Sequence, residues 1–306
     1  MKDIVVIGSL NMDLVMQAAR LPKLGETVLC NENYKMIPGG KGANQAVAVA
    51  KLGGKSIFVG RRGNDSFGTT LASNLKKSNV ITNYLTIDKK SPTGMALVMI
   101  DKNGDNSILV SAGANRECCK KDIDKVIPVL AKASILVVQL EIPFEIVSYA
   151  ISLANKYNVP VLLDAGPARK LPNNIFKKID IISPNETETE ILIGVKIKNI
   201  ETAKIAAKKF LNLGVKTVIL KLGEKGALLA TGKEIHYVKG IKVKTVDTTA
   251  AGDAFTGALA VGYAQGKSLL ESVSYANYVG ALTVTKLGAQ SSVPTKKEVE
   301  IFMKKK

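Results

Sequence analysis

The 306-residue chain has 43 lysines and arginines against 26 aspartates and glutamates, a net charge of +17, and 46% hydrophobic residues, ample for one large core or two smaller ones. The charge does not read as a nucleic-acid footprint, because only five basic residues are arginines (Arg20, Arg61, Arg62, Arg116, Arg169) and the lysines are scattered, whereas nucleic-acid readers lean on bidentate guanidinium groups. The longest apolar runs are strand-length, which argues against a membrane span, while an odd set of cysteines (Cys30, Cys118, Cys119) and a solitary His236 disfavour disulfides, zinc, and Ser-His-Asp or Cys-His catalysis.

Met1-Lys2-Asp3 leads straight into the strand-like Ile4-Val5-Val6-Ile7 without a signal-peptide pattern, so a cytoplasmic protein is expected. Just after that strand, Asn11 and Asp13 are spaced to point the same way on an extended chain. An amide and a carboxylate suit a polyhydroxyl ligand, and an Asx turn explains the pair equally well. Leu14 to Met36 has turn signals such as Leu24-Gly25-Glu26 and no convincing helix, so it reads as a projecting hairpin. Next, Gly39-Gly40-Lys41-Gly42-Ala43-Asn44 precedes a helix from about Asn44 to Leu52, with small residues that would leave the first helical amides bare enough to face an anion. A strand at Ile57 to Val59 and a helix at Phe67 to Lys77 follow. Thr93 to Ala112, with the turn Lys102-Asn103-Gly104-Asp105, reads as a second hairpin.

The later units repeat the order. Strands are expected at Ile135 to Gln139, Val161 to Asp164, Ile179 to Ser183 and Thr217 to Leu220, and helices at Glu145 to Lys156 and Thr202 to Leu213. Ser183-Pro184-Asn185-Glu186-Thr187-Glu188 reads as a capped helix start, and Lys221-Leu222-Gly223 as a glycine turn closing a strand. The fold class is therefore α/β, a doubly wound, mostly parallel sheet flanked by helices. One domain over residues 1–306 is expected, with insertions near 14–36 and 93–112. Ligands of such sheets gather at the carboxyl ends of strands, and Asn185, Gly223 and Asp253 each sit just past a predicted strand. No Walker A loop is present, since Val49 and Val261 stand where Gly54-Lys55-Ser56 and Gly266-Lys267-Ser268 would need the first glycine.

Near the end of the chain, Asp247-Thr248-Thr249-Ala250-Ala251-Gly252-Asp253 opens an alanine-rich helix. Amides of Ala250, Ala251, Gly252 and Asp253 at a helix start can hold charge building on a transferring phosphate, and the Asp253 carboxylate beside them can take a proton from an alcohol. Alone, Asp253 is as well explained as an N-terminal helix acid. Paired with the earlier glycine stretch, it reads as a phosphoryl-transfer site.

With these motifs in this order, the chain resembles the ribokinase-like family of sugar and nucleoside kinases. The resemblance rests on Gly39-Gly40-Lys41-Gly42-Ala43-Asn44-Gln45-Ala46 and on Asp247 through Phe255. Gly8-Ser9-Leu10-Asn11-Met12-Asp13, Pro184-Asn185-Glu186-Thr187-Glu188 and Lys286 through Pro294 extend it over nearly the whole chain. It implies ATP-dependent phosphorylation of D-ribose at the 5-hydroxyl, with Asp253 as base. Another small sugar (deoxyribose, fructose) or a nucleoside is the alternative acceptor, and a non-catalytic sugar sensor the more distant reading. The sugar would be bound by Asn11, Asp13, Gly40, Lys41, Asn44 and Glu141, and the nucleotide by Asn185, Lys221, Gly223, Gly252 and Asn277. Many members carry threonine where Lys221 stands. Glu188 would support magnesium indirectly, and Asp247, Thr249, Thr283, Lys286, Gly288 and Ser292 would hold potassium mainly through backbone carbonyls. The two insertions would form a small β-sheet lid through which two subunits pair as a homodimer. No nucleic-acid or membrane partner is expected.

Overall fold

Runs without polar alternation, such as Ile4–Ile7 and Ile135–Val138, are buried at every residue, the pattern of a parallel sheet covered on both faces. The computed structural model describes residues 3–30, 32–102 and 106–305. Its strands in chain order are β1 (Ile4–Ile7), β2 (Asn11–Gln17), β3 (Lys35–Gly39), β4 (Ser56–Gly63), β5 (Ile81–Asp88), β6 (Gly94–Ile100), β7 (Asn106–Ser111), β8 (Ile135–Val138), β9 (Val161–Leu163), β10 (Ile181–Ile182), β11 (Thr217–Lys221), β12 (Gly226–Thr231) and β13 (Ile235–Lys239). The α-helices are α1 (Lys41–Lys51), α2 (Ser66–Lys77), α3 (Lys120–Asp124), α4 (Ile127–Leu130), α5 (Phe144–Lys156), α6 (Asn173–Phe176), α7 (Glu186–Ile193), α8 (Ile200–Asn212), α9 (Ala251–Ala264), α10 (Leu269–Thr283) and α11 (Lys296–Lys304).

The main sheet runs β13-β12-β11-β10-β9-β8-β1-β4-β5, parallel except where β12 pairs antiparallel with β11 and β13. Alternate side chains of the central strands divide the core. Val5, Ile7, Leu136 and Val138 pack with Ile146, Val147 and Phe210 on one face, while Ile4, Val6, Ile135 and Val137 pack with Ala46, Ala254, Ala258 and Val273 on the other. Strand order reverses at β1, with β4 on one side and β8 on the other. This is the topological switch point where open α/β sheets bind ligands, and Asn11 and Glu141 follow the carboxyl ends of β1 and β8.

A second sheet, β3-β2-β6-β7, is built from the two segments that break the alternation. β2 pairs parallel with β6 and antiparallel with β3. The first insertion is thus an open hairpin: residues 18–30 and 32–34 hold no strand, and Gly25 turns the chain at φ 80°. The second is the β6–β7 hairpin, whose expected turn at Asn103-Gly104-Asp105 lies outside the described residues. Two differences bear on the site. α1 begins at Lys41, three residues earlier than the periodicity predicts, so Lys41 and Asn44 are helical. Asp253 does not directly follow a strand, because residues 240–250 separate β13 from α9. Ile241-Lys242-Val243-Lys244 alternates apolar and polar residues as a strand does, yet the segment forms none, so the pattern hides the loop.

Candidate active site

The start of α9 is the centre of the site. Ala250, its N-cap, holds φ 58°, a left-handed conformation that costs a residue with a Cβ about 1 kcal/mol and turns the chain sharply into the helix. The N–H groups of Ala250, Gly252 and Asp253 have no hydrogen-bond partner among the described residues, while the Ala251 N–H makes a long contact of 3.3 Å to the Thr248 carbonyl. Three of the four expected anion-hole amides are thus available, and Ala251 is partly spent. Asp253, in the first turn, is 5% exposed. Its Oδ2 accepts from Asn44 Nδ2 at 2.8 Å, its Oδ1 accepts from Gln45 Nε2 at 3.1 Å, and Lys41 Nζ stands 4.0 Å from Oδ1. Burial pushes the Asp253 carboxyl above the ordinary carboxylate range, the Lys41 ammonium opposes this and nearby Asp164 adds to it. Lys41 is in turn raised, chiefly by Asp253.

The start of α1 behaves differently, and the expectation that its amides face an anion is corrected for two of the first three: only the Gly42 N–H has no hydrogen-bond partner among the described residues. The Lys41 N–H donates to Glu141 Oε2 at 2.9 Å and the Ala43 N–H to the Ser9 carbonyl at 2.9 Å, so these donors are used inside the protein. The glycines serve close approach. Gly40 sits at φ 88°, and a Cβ there would stand 2.7 Å from Leu10 Cα; one on Gly42 would stand 2.7 Å from Ser9 N and 2.8 Å from Gly8 C. The helix is pressed backbone to backbone against residues 8–11, which lays Lys41, Asn44 and Gln45 alongside Asp253.

The sugar-side candidates gather there. Asn11 is buried and its Oδ1 accepts from Asn115 Nδ2 at 2.8 Å. Asp13 is raised to about 7 by burial and by the charges of Glu141 and Asp253. Glu141, also raised by burial, accepts from the Ser9 hydroxyl as well as from the Lys41 N–H. The Asn44 Oδ1 is buried with no hydrogen-bond partner among the described residues, an acceptor in want of a donor of the kind a hydroxyl supplies.

On the other side of Asp253 lies a cavity of about 840 Å³, lined by Lys221, Gly223, Gly252, Phe255 and Asn277 among others. Lys221 and Asn185 are bridged where β11 meets the start of α7, with the Lys221 N–H donating to the Pro184 carbonyl at 2.9 Å. Asn185 caps α7, and Glu188 returns its Oε2 to the Asn185 N–H at 2.8 Å. Glu188 is buried, and burial raises its carboxyl. Asn277 lines the cavity, but its Nδ2 donates to the Val238 and Lys239 carbonyls. Its amide therefore secures the end of β13 and leaves only the oxygen for a ligand.

Beneath α9, Asp247 Oδ1 accepts from Thr249 N and Oγ1 and Oδ2 accepts from Gly288 N at 2.8 Å. Burial works against its charge, yet these hydrogen bonds hold the carboxyl below its usual range. The Thr283 and Ser292 hydroxyls donate to their own helix and turn, at Val279 and Ala289. Lys286 Nζ is paired with Glu298. Side chains in this group are satisfied, so backbone carbonyls and the Asp247 charge are what it can offer a cation.

Asp164 was missed by the sequence reading. It is 1% exposed, with Oδ1 accepting from Lys221 Nζ at 2.7 Å and Oδ2 from Gln45 Nε2 at 2.6 Å. Gln45, whose Oε1 accepts from Gln139 at 2.6 Å, and Asn115 were missed too. A carboxylate directly after the apolar Val161–Leu163, at the carboxyl end of a parallel strand, was the one available signal. Buried amides leave none.

A carboxylate with free helix amides behind it, polar groups on one side and an open cavity on the other is a layout for phosphoryl transfer to an alcohol. Known proteins with this sequence pattern agree. The chain is 38% identical over 302 residues to a ribokinase of Haemophilus influenzae, covering 99% of this chain and 98% of that protein. It is equally 38% identical over 294 residues to a deoxyribokinase of Salmonella typhi, covering 96% of each. The structure of Arabidopsis thaliana ribokinase complexed with ribose and ATP superposes with a TM-score of 0.92 at 38% identity, covering 99% of both chains. Residues 1–296 match the model of the pfkB family carbohydrate kinases, and the chain belongs to that family.

Proposed function

We propose that this kinase transfers the γ-phosphoryl group of ATP to the 5-hydroxyl of D-ribose, giving D-ribose 5-phosphate and ADP. The observation that carries the reading is Asp253, a buried carboxylate in the first turn of α9 between the sugar-side residues and the cavity, with the unpaired amides of Ala250 and Gly252 beside it. The Arabidopsis relative complexed with ribose and ATP supports both ligands.

In this mechanism Asn11, Asp13 and Asn44 orient the sugar hydroxyls. Asp253 accepts the 5-hydroxyl proton as the new oxygen–phosphorus bond forms and the bond to the departing ADP oxygen breaks. Because burial raises its carboxyl, Asp253 is a stronger base than an exposed aspartate. The amides of Ala250, Gly252 and Asp253 meet the charge that develops on the transferred group. Glu188 fits magnesium: one oxygen is tied to the Asn185 N–H and the other has no hydrogen bond among the described residues, and magnesium commonly takes one carboxylate with phosphate oxygens and water. Magnesium held by Glu188 would supply charge neutralisation to the transferring phosphate. The Asp247 group fits potassium, since Asp247 is held ionised and ties Thr249 to Gly288 just before the anion hole.

The second sheet acts as a lid over the sugar and as the contact between two subunits. In this reading the enzyme is cytoplasmic, and no helix among the described residues is long and apolar enough to cross a membrane. Deoxyribose is the second reading, favoured by the equal identity to the Salmonella deoxyribokinase. A coupled ADP-release assay across ribose, deoxyribose, fructose and adenosine tests both. Ribose must give the highest kcat/KM; a higher value for another acceptor overturns the assignment.

A further inference from the structure

Asn115, in the short helical turn Gly113–Glu117 that follows β7, is 1% exposed and spends its whole amide on the link between β1 and β2. Its Oδ1 accepts from the Leu10 N–H at 3.0 Å, and its Nδ2 donates to the Leu10 carbonyl at 3.1 Å and to Asn11 Oδ1 at 2.8 Å. The two backbone groups of Leu10 leave no freedom in this arrangement, because an N–H can face only an acceptor and a carbonyl only a donor. The second Nδ2 hydrogen of Asn115 therefore demands an acceptor, and Asn11 must meet it with its oxygen. Asn11 is left with its amide nitrogen turned the other way, and that nitrogen has no hydrogen bond among the described residues.

The neighbouring chain is built around this pair. Asn11 stands opposite Gly39 on β3 and Gly94 on β6, and a Cβ on Gly94 would lie 2.3 Å from both Asn11 Oδ1 and Asn115 Nδ2. Asn11 shares its face of β2 with Asp13, whose carboxyl feels the charges of Glu141 and Asp253. The Asp13 carboxylate and the unpartnered Asn44 Oδ1 are acceptors on the sugar side. A hydroxyl that gives its hydrogen to one of them still has lone pairs to satisfy, and the Lys41 ammonium is drawn to Asp253. The free nitrogen of Asn11 supplies the missing donor.

We propose that Asn115 is a positioning residue for the sugar, one that never touches it: by holding Asn11 Oδ1 it makes Asn11 a hydrogen-bond donor, the complement of the acceptors around it. The proposal rests on the assignment of Asn11 to the sugar side and not on which sugar is bound. It sets the chemistry of the substrate at this point, which must offer lone pairs, as a hydroxyl or ring oxygen does, and not hydrogens alone, as an ammonium does. Because Asn115 reaches across the root of the small sheet, where β2 and β6 begin, the same contact fixes Asn11 relative to both strands.

Full-length wild type, Asn11→Ala, Asn11→Asp, Asn115→Asp, and Asn11→Ala combined with Asn115→Asp would be assayed for KM of D-ribose and of deoxyribose, KM of ATP, kcat and melting temperature. Asn115→Asp keeps the shape and the Leu10 N–H contact but offers Asn11 no hydrogen, so the sugar KM should rise about tenfold, the loss of one hydrogen bond, with KM for ATP unchanged. Once Asn11 is alanine, Asn115→Asp should raise it no further. Asn11→Asp still accepts from Asn115 but has no hydrogen for the sugar, so it should bind sugar no better than Asn11→Ala. A sugar KM close to wild type in Asn11→Asp, where Asn11→Ala is impaired, overturns the proposal, as does an Asn115→Asp enzyme in which the melting temperature alone falls. Gly94→Ala presses on the same pair from β6, which keeps the test open should Asn115→Asp fold poorly; it should raise the sugar KM likewise, and an unchanged value there also overturns the proposal. A wild-type sugar KM in Asn11→Ala would sink the placement of Asn11 in the sugar site and the proposal with it, whereas the other failures leave that placement standing.

Discussion

Asp253 and Asp13 are both carboxylates raised by burial, and the difference in what surrounds them separates their roles. Asp253 accepts two side-chain amide hydrogen bonds and sits beside Lys41, so it is aimed and fixed. Asp253→Asn keeps the shape and removes the proton acceptor. It should lower kcat by about 10²- to 10⁴-fold with ATP affinity little changed, which steady-state kinetics and a nucleotide titration check together. Asp13 titrates where it can be watched. Its carboxyl rises from 3.8 to about 7 on folding, so its contribution to stability is fully present below about pH 3.8 and is lost as pH rises through 7. Asp13→Asn should therefore raise the melting temperature at pH 8 and lose that advantage in acid. In the wild type, KM for the sugar should climb as pH falls below 7, because a protonated Asp13 gives up acceptor capacity; a flat KM between pH 6 and 8 would remove Asp13 from the sugar site.

The two helices that meet at the site start with similar glycine- and alanine-rich sequences and put them to opposite uses. α9 leaves the amides of Gly252 and Asp253 open among the described residues, whereas α1 spends those of Lys41 and Ala43 on Glu141 and Ser9 and uses its glycines to touch the backbone of residues 8–11. Composition alone could not separate these cases, because a bare amide and a close backbone contact call for the same small residues. Strands such as β1 and β8 were legible from unbroken apolar runs, and Asn185 with Glu188 from capping chemistry. β12 was not, since Gly226–Thr231 mixes small and apolar residues without a distinct period, and Asn115 gains meaning only from partners far along the chain, while Asp164 offered only its place after an apolar strand. Gly42→Ala should wedge α1 away from residues 8 and 9, costing about 1–3 kcal/mol and lowering kcat with it; thermal melts and turnover should move together. At α9, potassium should raise activity over tetramethylammonium at matched ionic strength, and equal rates in alkali-free buffer would dismiss the Asp247 group as a cation site.

At the scale of the whole molecule, the small sheet exposes apolar side chains on both of its edge strands. Ile108, Leu109 and Val110 on its edge strand β7 are 57%, 69% and 54% exposed, and Met36 on the opposite edge strand is 52% exposed. An open edge with apolar residues on both faces is a pairing surface. Sedimentation should report a dimer, and Leu109→Lys should shift it toward monomer and raise KM for the sugar. A wild type that sediments as monomer while fully active would dispose of the lid contact and leave the chemistry at Asp253 untouched.

The hydrogen bond from Asn44 to Asp253 closes a separation of 209 residues, and it has a bearing on how the enzyme comes into being. A chain emerging from the ribosome offers α1 early, with the amides of its first turn engaged by Ser9 and, later, by Glu141, and no base for it to hold until α9 follows. If Asp253 is the base, as proposed, every fragment that stops short of α9 is catalytically mute, however well its strands have paired. Contacts this distant form slowly, and ligands that need both ends stabilise only the finished product. Sugar and nucleotide would then act as inspectors of completeness, protecting from proteolysis the molecules whose two halves have met.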